Sequence, residues 1–382
     1  MRTADVAIIG GGVVGLSIAY HLLKRQKTLR VVVLEREPMV GTVETARATG
    51  GIRHQFGTEV NIRLTQLSIP FFQHMEEETG VSSGFVPHGY LFVTASAERV
   101  QAYQANVALQ RRLGVDVRLL TPDEIGAAYP WMRNDDLVGG TLCMQDGSAD
   151  PYSVVQGLYR GVRTLGGEVL TQEEVTEIAR EKGRITGVRT PNETVAAPVV
   201  VSAAGPYTTR VAALVSVDIP VKAERRQVVV AVPLPEIPED IPFSIDGDTG
   251  WYVHMAGKSA MLLGGTDKTG PPDPTVDWSV VEDNLQKGVQ RVPAMERVQV
   301  MRAYAGLRST SPDYQAIVGP VPEVPGFYVA AGFSGHGFMH GPAAGQVMAE
   351  MILDGRATSV DAAPLSPTRF REGRTQGEAV IF

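Results

Sequence analysis

The chain has 382 residues, is 43% hydrophobic and 20% charged, and carries a formal net charge of −7. At about 150 residues per domain this makes two or three domains of an ordinary globular protein, and the acidic balance, with no dense Lys/Arg run, excludes a basic nucleic-acid-binding surface. A single cysteine, Cys143, excludes an intramolecular disulfide and a cysteine-rich metal site, and no metal-ligating cluster is read anywhere in the chain.

The first element is Val6-Ala7-Ile8-Ile9, the apolar run of a short buried parallel strand. Gly10-Gly11-Gly12-Val13-Val14-Gly15 follows and opens a segment in which apolar residues recur at helical spacing up to Leu23. A second β-branched run, Val31-Val32-Val33-Leu34, ends in Glu35, twenty positions after Gly15. Gly10 allows the tight turn, Gly12 lets backbone approach a pyrophosphate, and Gly15 lets the helix pack against the strand. The helix N-terminus offers free N–H groups to phosphate, and Glu35 accepts from a ribose hydroxyl. The alternative, a glycine-rich structural turn, leaves Glu35 unexplained. Residues 6–23 carry no Asp, Glu, Lys or Arg, but three successive glycines and the acidic Asp5 fit neither a membrane span nor a signal peptide. The chain reads as cytoplasmic, without an integral membrane segment.

Next comes Thr45-Ala46-Arg47-Ala48-Thr49-Gly50-Gly51-Ile52-Arg53, small and basic, suited to lie against a flat ligand, with Arg47 and Arg53 able to pair with phosphate or carboxylate; a solvated loop is the plain alternative. A helix over 59–78, a strand over 85–94 and a helix over 98–113 follow. Thr121-Pro122-Asp123-Glu124 starts another helix. Residues 140–144 read as a strand that buries Cys143 as an inert thiol. A helix spans 152–165, then a strand over 168–170, and Val175 lies in the next strand, beside a small hairpin layer around 184–190. Residues 197–206 form a second buried strand that ends in Ala203-Ala204-Gly205 and brings Ala204 and Gly205 to the nucleotide. From 219 to 300 the pattern changes to antiparallel strands with proline-rich links. A third buried strand over 326–332 leads through Phe333-Ser334-Gly335-His336-Gly337-Phe338-Met339 into a small-residue helix, again a turn with a dipole end.

At these residues the chain resembles the FAD-dependent D-amino-acid oxidase superfamily, and within it the branch of the sarcosine oxidase and proline dehydrogenase β subunits. The motifs that carry the resemblance are the first turn with Glu35, residues 46–56, Ala203-Ala204-Gly205-Pro206, Tyr304-Ala305-Gly306-Leu307-Arg308, and the Gly-Phe-Ser-Gly-His-Gly-Phe stretch from Gly332. It implies an α/β fold: a discontinuous Rossmann-like FAD-binding domain over 1–84, 145–215 and 306–382, and an antiparallel-sheet α+β substrate domain over 85–144 and 216–305. It implies oxidation of the C–N bond of a small amino acid or secondary amine, of the sarcosine, proline or D-amino acid type, by hydride transfer to flavin N5. A 2-hydroxy acid or polyol dehydrogenase, and a flavoprotein subunit of a larger electron-transfer complex, are the alternatives.

The resemblance also implies residue roles. Gly10, Gly12, Val13 and Gly15 meet the pyrophosphate, and Glu35 with Arg36 the adenosine. Thr49, Gly50 and Gly51 lie along the flavin, and Thr45, Ala46 and Arg47 also bind the cofactor. Val175 contacts adenine, Ala204 and Gly205 the ribityl chain, and Gly306 with Gly335, His336, Gly337, Phe338 and Met339 the ring. Arg308 clamps the substrate carboxylate with its planar fork, helped by Tyr252 and Arg53. His336 either moves a proton or only holds its loop. The segment Gly306-Leu307-Arg308-Ser309-Thr310-Ser311-Pro312 lacks the cysteine through which some relatives attach flavin, so FAD is expected to be noncovalent. Leu262 and Met339 stand where monomeric sarcosine oxidases carry lysines, which favours a dehydrogenase whose electron acceptor the sequence does not name.

Overall fold

The computed structural model of the chain describes residues 2–265 and 273–380. Its organising layer is a six-stranded sheet in the order Ile317–Pro320, Phe327–Ala331, Val199–Ser202, Val6–Ile9, Val31–Leu34, Glu168–Leu170. All neighbours are parallel except the first pair. Both faces are covered, which is why the strands read as unbroken apolar runs. Val6, Ile8, Val31 and Val33 face the helices Val13–Arg25, Pro151–Thr164 and Gly337–Asp354. Ala7, Ile9, Val32 and Leu34 face a four-stranded layer built from Arg2–Thr3, Thr194–Ala196, Arg184–Arg189 and Glu177–Glu181. The last helix lies close on the first because Gly345 has no side chain: a Cβ there would sit 2.6 Å from the Ser17 carbonyl carbon.

Val175 falls outside the strand expected for it. It lies in the extended stretch before Glu177–Glu181. That stretch is held to the end of the central sheet instead, by Gln172 N–H on the Glu37 carbonyl (3.1 Å) and Glu173 N–H on the Glu35 carbonyl (2.9 Å). The effect is to carry Val175 past the acid that ends the second strand.

The second sheet has eight strands, in the order Val300–Thr310, Lys222–Ala231, Ala260–Gly264, Tyr252–Ala256, Phe243–Asp246, Tyr90–Thr94, Gly139–Cys143, Val117–Leu120. It is antiparallel except at one seam, where Phe243–Asp246 runs parallel to Tyr90–Thr94. The seam joins two stretches of chain that each pair antiparallel within themselves, and a parallel pair requires the long crossover that the intervening residues supply. Before Tyr90 the chain makes only an isolated bridge, Val86 to Ser148, so the expected strand over 85–94 is shorter. Gly306 to Thr310 pair with Arg226 to Lys222 as the second half of an eleven-residue strand. The expected border at 306 therefore falls inside a strand of this sheet. The outer limits at 1 and 382 lie outside the described residues. No helix among the described residues is long and apolar enough to cross a membrane.

Candidate active site

A cavity of about 620 Å³ runs between the carboxyl ends of the parallel strands and the face of the eight-stranded sheet. Of the residues given a cofactor or substrate role from the sequence, all line it except Gly15 and Ala46, and Leu262, named with Met339 as standing in place of a lysine, does not line it. Gly15 and Ala46 act from behind the wall. A side chain at Gly15 would overlap the Gly10 carbonyl, and Ala46 N–H bonds the Gly41 carbonyl at 3.0 Å.

One end is made of backbone. Gly10 has φ +111°, and a Cβ there would be 2.5 Å from the Ala203 carbonyl oxygen, so the turn and the second buried strand touch main chain to main chain. Gly12 caps the first helix with no side chain, leaving the amides of the first turn toward the cavity, with Val13 N–H shared with Thr45 Oγ1 at 3.2 Å. Glu35 is buried and accepts Gly11 N–H (2.7 Å) and Glu37 N–H (2.9 Å), which locks its carboxylate at the edge of the turn. Arg36 lies 3.9 Å over the Tyr207 ring. Gly50, at φ +83°, passes against the Ala149 carbonyl, where only a glycine fits.

The other end is made of side chains. The Arg308 guanidinium lies close against Gly335: a Cβ there would be 2.7 Å from Cζ. Tyr252 packs over Gly264, and its ring is 5.3 Å from that of Phe243, which stacks on Tyr90 at 4.3 Å. Arg53 is buried, stacks 3.9 Å from the Phe56 ring centre and donates to the carbonyls of Gln55 and Val380, the latter at 2.8 Å. Burial lowers its pKa. His336, at the N-terminus of the last helix, is buried. Its Nε2 meets the Tyr314 carbonyl and its Nδ1 meets His340 Nδ1, both at 3.2 Å. Burial, with Arg53 and Arg308 nearby, holds its pKa down at about 3, so the ring is neutral.

Glu44 and Arg226 are among the cavity residues that no sequence feature picked out. Glu44 accepts Leu307 N–H at 2.6 Å and pairs with Arg47 at 3.3 Å, and burial raises its pKa. Arg226 also lines the wall, paired with Glu224 at 3.1 Å. Its neighbour Arg225 instead holds the Thr275 carbonyl and Asp277. Strand alternation separates the two, but both flanks of this strand are largely buried, so no polar–apolar pattern marked which arginine faces the cleft. Met339 is in the wall, and no lysine is among the described lining residues. Outside the cleft, Cys143 stands with His54 and Asp146, where burial pushes its thiol pKa well up.

Two helix N-termini without side-chain caps therefore open on one elongated cavity. A glycine turn and a ribose-ready acid stand at one end, and a stacked guanidinium and aromatic rings at the other. This donor set fits a dinucleotide with a flat ring and, beside that ring, a small anion.

Comparison with known proteins agrees. Residues 5–351 match the family described as FAD dependent oxidoreductase. The chain is 31% identical over 416 residues to FAD-dependent oxidoreductase domain-containing protein 1 of Xenopus laevis, covering 96% of this chain and 82% of that one. It is 29% identical over 378 residues to the mitochondrial sarcosine dehydrogenase of Homo sapiens, covering 93% of this chain but 40% of that protein. The solved structure of L-proline dehydrogenase from P. horikoshii superposes with a TM-score of 0.92 at 29% identity, covering 98% of this chain and all of the other.

Proposed function

The chain belongs to the FAD dependent oxidoreductase family, and from that premise we propose that it oxidises the C–N bond of a small amino acid or secondary amine of the sarcosine, proline or D-amino acid kind. FAD, its cofactor, supplies the hydride acceptor when bound. The reading is carried by one observation, the Arg308 guanidinium laid on Gly335 where the last helix begins. A carboxylate placed there gains a charge-assisted bidentate pair in a partly dry cleft. The substrate's Cα–H is thereby held beside the ring that residues 335–339 border. Tyr252, Phe243 and Tyr90 give the substrate carbon chain an apolar, aromatic wall. The sarcosine and proline dehydrogenases among its relatives support this substrate class.

Noncovalent binding follows from the absence of a cysteine between Gly306 and Pro312. An acceptor other than oxygen follows from Met339 standing at the ring with no described lysine in the wall. The test is an anaerobic screen of the holoprotein against secondary amino acids, D-amino acids and 2-hydroxy acids. Flavin bleaching by an amino acid, with slow reoxidation in air, is the expected result. Bleaching by hydroxy acids alone would overturn the reading.

A further inference from the structure

After the turn at Pro367–Phe370, residues 371–380 form neither helix nor strand, and residues 371–377 are exposed. It then inserts two side chains. Glu378 is 3% and Val380 9% exposed, while Ala379 between them faces solvent. A segment without regular structure is not held by a hydrogen-bonded ladder, so something specific must fix it.

The fixing group is the Glu378 carboxylate. Oε1 accepts Gly57 N–H at 2.9 Å and Val380 N–H at 2.8 Å, and Oε2 accepts Thr58 Oγ1–H at 2.8 Å and Asn61 Nδ2–H at 3.0 Å. Apart from the Val380 N–H, which is the strap's own, these donors sit on the first turn of the helix Glu59–Thr79 and the residues leading into it, where a negative charge also meets the positive end of the dipole. The backbone adds Glu378 N–H on the Asp313 carbonyl at 3.0 Å. Two residues on, Val380 packs with Tyr90, Phe92, Phe243 and Ile245 and lines the cavity beside Tyr252 and Arg53. Its carbonyl accepts from Arg53 at 2.8 Å.

We propose that residues 378–380 form a specificity strap: Val380 closes the substrate end of the cavity and sets how long a side chain it admits, its carbonyl positions Arg53, and Glu378 is the latch for both. This rests on the proposed function for the identity of the substrate, but not for the geometry of the pocket. At that end Tyr90, Phe243, Tyr252 and Ile245 belong to sheet strands, whereas Val380 is the lining side chain that the strap supplies, so one methyl more or less there changes the depth without altering the sheet. The carboxylate suits the latch because all its partners are donors. An amide would turn an N–H toward one pair of them.

The strap is tested on the holoprotein with unbranched monocarboxylates from acetate to hexanoate, titrated by the change each makes in the flavin spectrum. In the wild type the affinity rises about fourfold per methylene up to a limiting length and then falls. Val380→Ala moves that limit outward by about one or two methylenes and Val380→Leu moves it inward, with FAD content unchanged. Glu378→Gln blunts the limit and weakens all the carboxylates, since Arg53 loses one of the two carbonyls that hold it. Superimposed length profiles for the wild type and both Val380 variants would overturn the proposal, as would carboxylates that leave the flavin spectrum untouched. If the profiles shift while no amino acid bleaches the flavin, the strap stands and the C–N reading falls.

Discussion

The two ends of the cavity are built from different materials. At the nucleotide end the contacts are main chain on main chain: Gly10 against the Ala203 carbonyl, Gly15 against the Gly10 carbonyl, and the open amides after Gly12. At the end proposed for the substrate they are side chains brought from distant stretches, with Arg308 on Gly335, Tyr252 beside Phe243, and Arg53 held by Val380. A backbone site tolerates no added atom but demands little of side-chain identity. A side-chain site can be retuned residue by residue without disturbing the fold that carries it. The consequence is that cofactor binding and substrate binding should fail separately.

The largest effect breaks the backbone end. Gly15→Val places a side chain through the Gly10 carbonyl, which overpacking and backbone displacement make worth about 3 kcal/mol or more. The expected outcome is a protein that purifies without FAD and melts several degrees lower, read by released flavin and by calorimetry. Next is the side-chain end. Arg308→Ala removes a charge-assisted pair worth roughly 1.5–3 kcal/mol, so substrate or carboxylate inhibitor should bind about ten- to a hundredfold more weakly. Arg308→Lys should recover part of that, because an ammonium lacks the fork.

A smaller effect separates the ends by pH. His336 is buried at the substrate end with its pKa held near 3, while in the unfolded chain it returns to about 6.5. Between those values the unfolded chain binds the proton and the folded chain does not. Its contribution is therefore intact above about pH 6.5 and is lost as the pH falls toward 3, by up to about 1.4 kcal/mol per pH unit. His336→Asn should make the fall of the melting temperature between pH 7 and 5 shallower. An unchanged slope would mean that other histidines with lowered pKa, among them His340, His254 and His21, carry the effect. The smallest effect is at Glu44, which links the ends by accepting Leu307 N–H, one residue before Arg308. Glu44→Gln should retain FAD and raise KM about two- to tenfold with kcat little changed, as loss of one positioning hydrogen bond worth about 0.5–1.5 kcal/mol predicts. A fall in kcat with KM unchanged would place Glu44 in the chemistry instead.

The same contrast explains what the sequence disclosed. Backbone sites are written locally: glycines at fixed offsets, β-branched runs and an acid at the strand end are all within thirty-five residues of each other. Those features led to Gly10, Gly12, Gly15, Glu35 and the parallel sheet directly. Arg308 and Tyr252 came through family resemblance, because nothing near them in the chain says what they face. Glu44 reaches Leu307 across 263 positions and Glu378 reaches Asn61 across 317, and no local pattern encodes either contact. Arg226 was hidden by a strand buried on both sides. The parallel seam between Tyr90–Thr94 and Phe243–Asp246 is likewise a long-range pairing, and short strands with antiparallel links on either side gave no sign of it.

The separability of the two ends is tested most directly by measuring FAD per chain and the anaerobic rate of flavin reduction on the same preparations of wild type, Gly10→Ala and Arg308→Ala. Gly10→Ala is expected to lose FAD, since its added methyl meets the Ala203 carbonyl at φ +111°, while Arg308→Ala keeps a full complement of FAD and reduces it far more slowly with an amino acid. An Arg308→Ala protein that loses its FAD, or that is reduced by a carboxylate substrate at the wild-type rate, would contradict that separability.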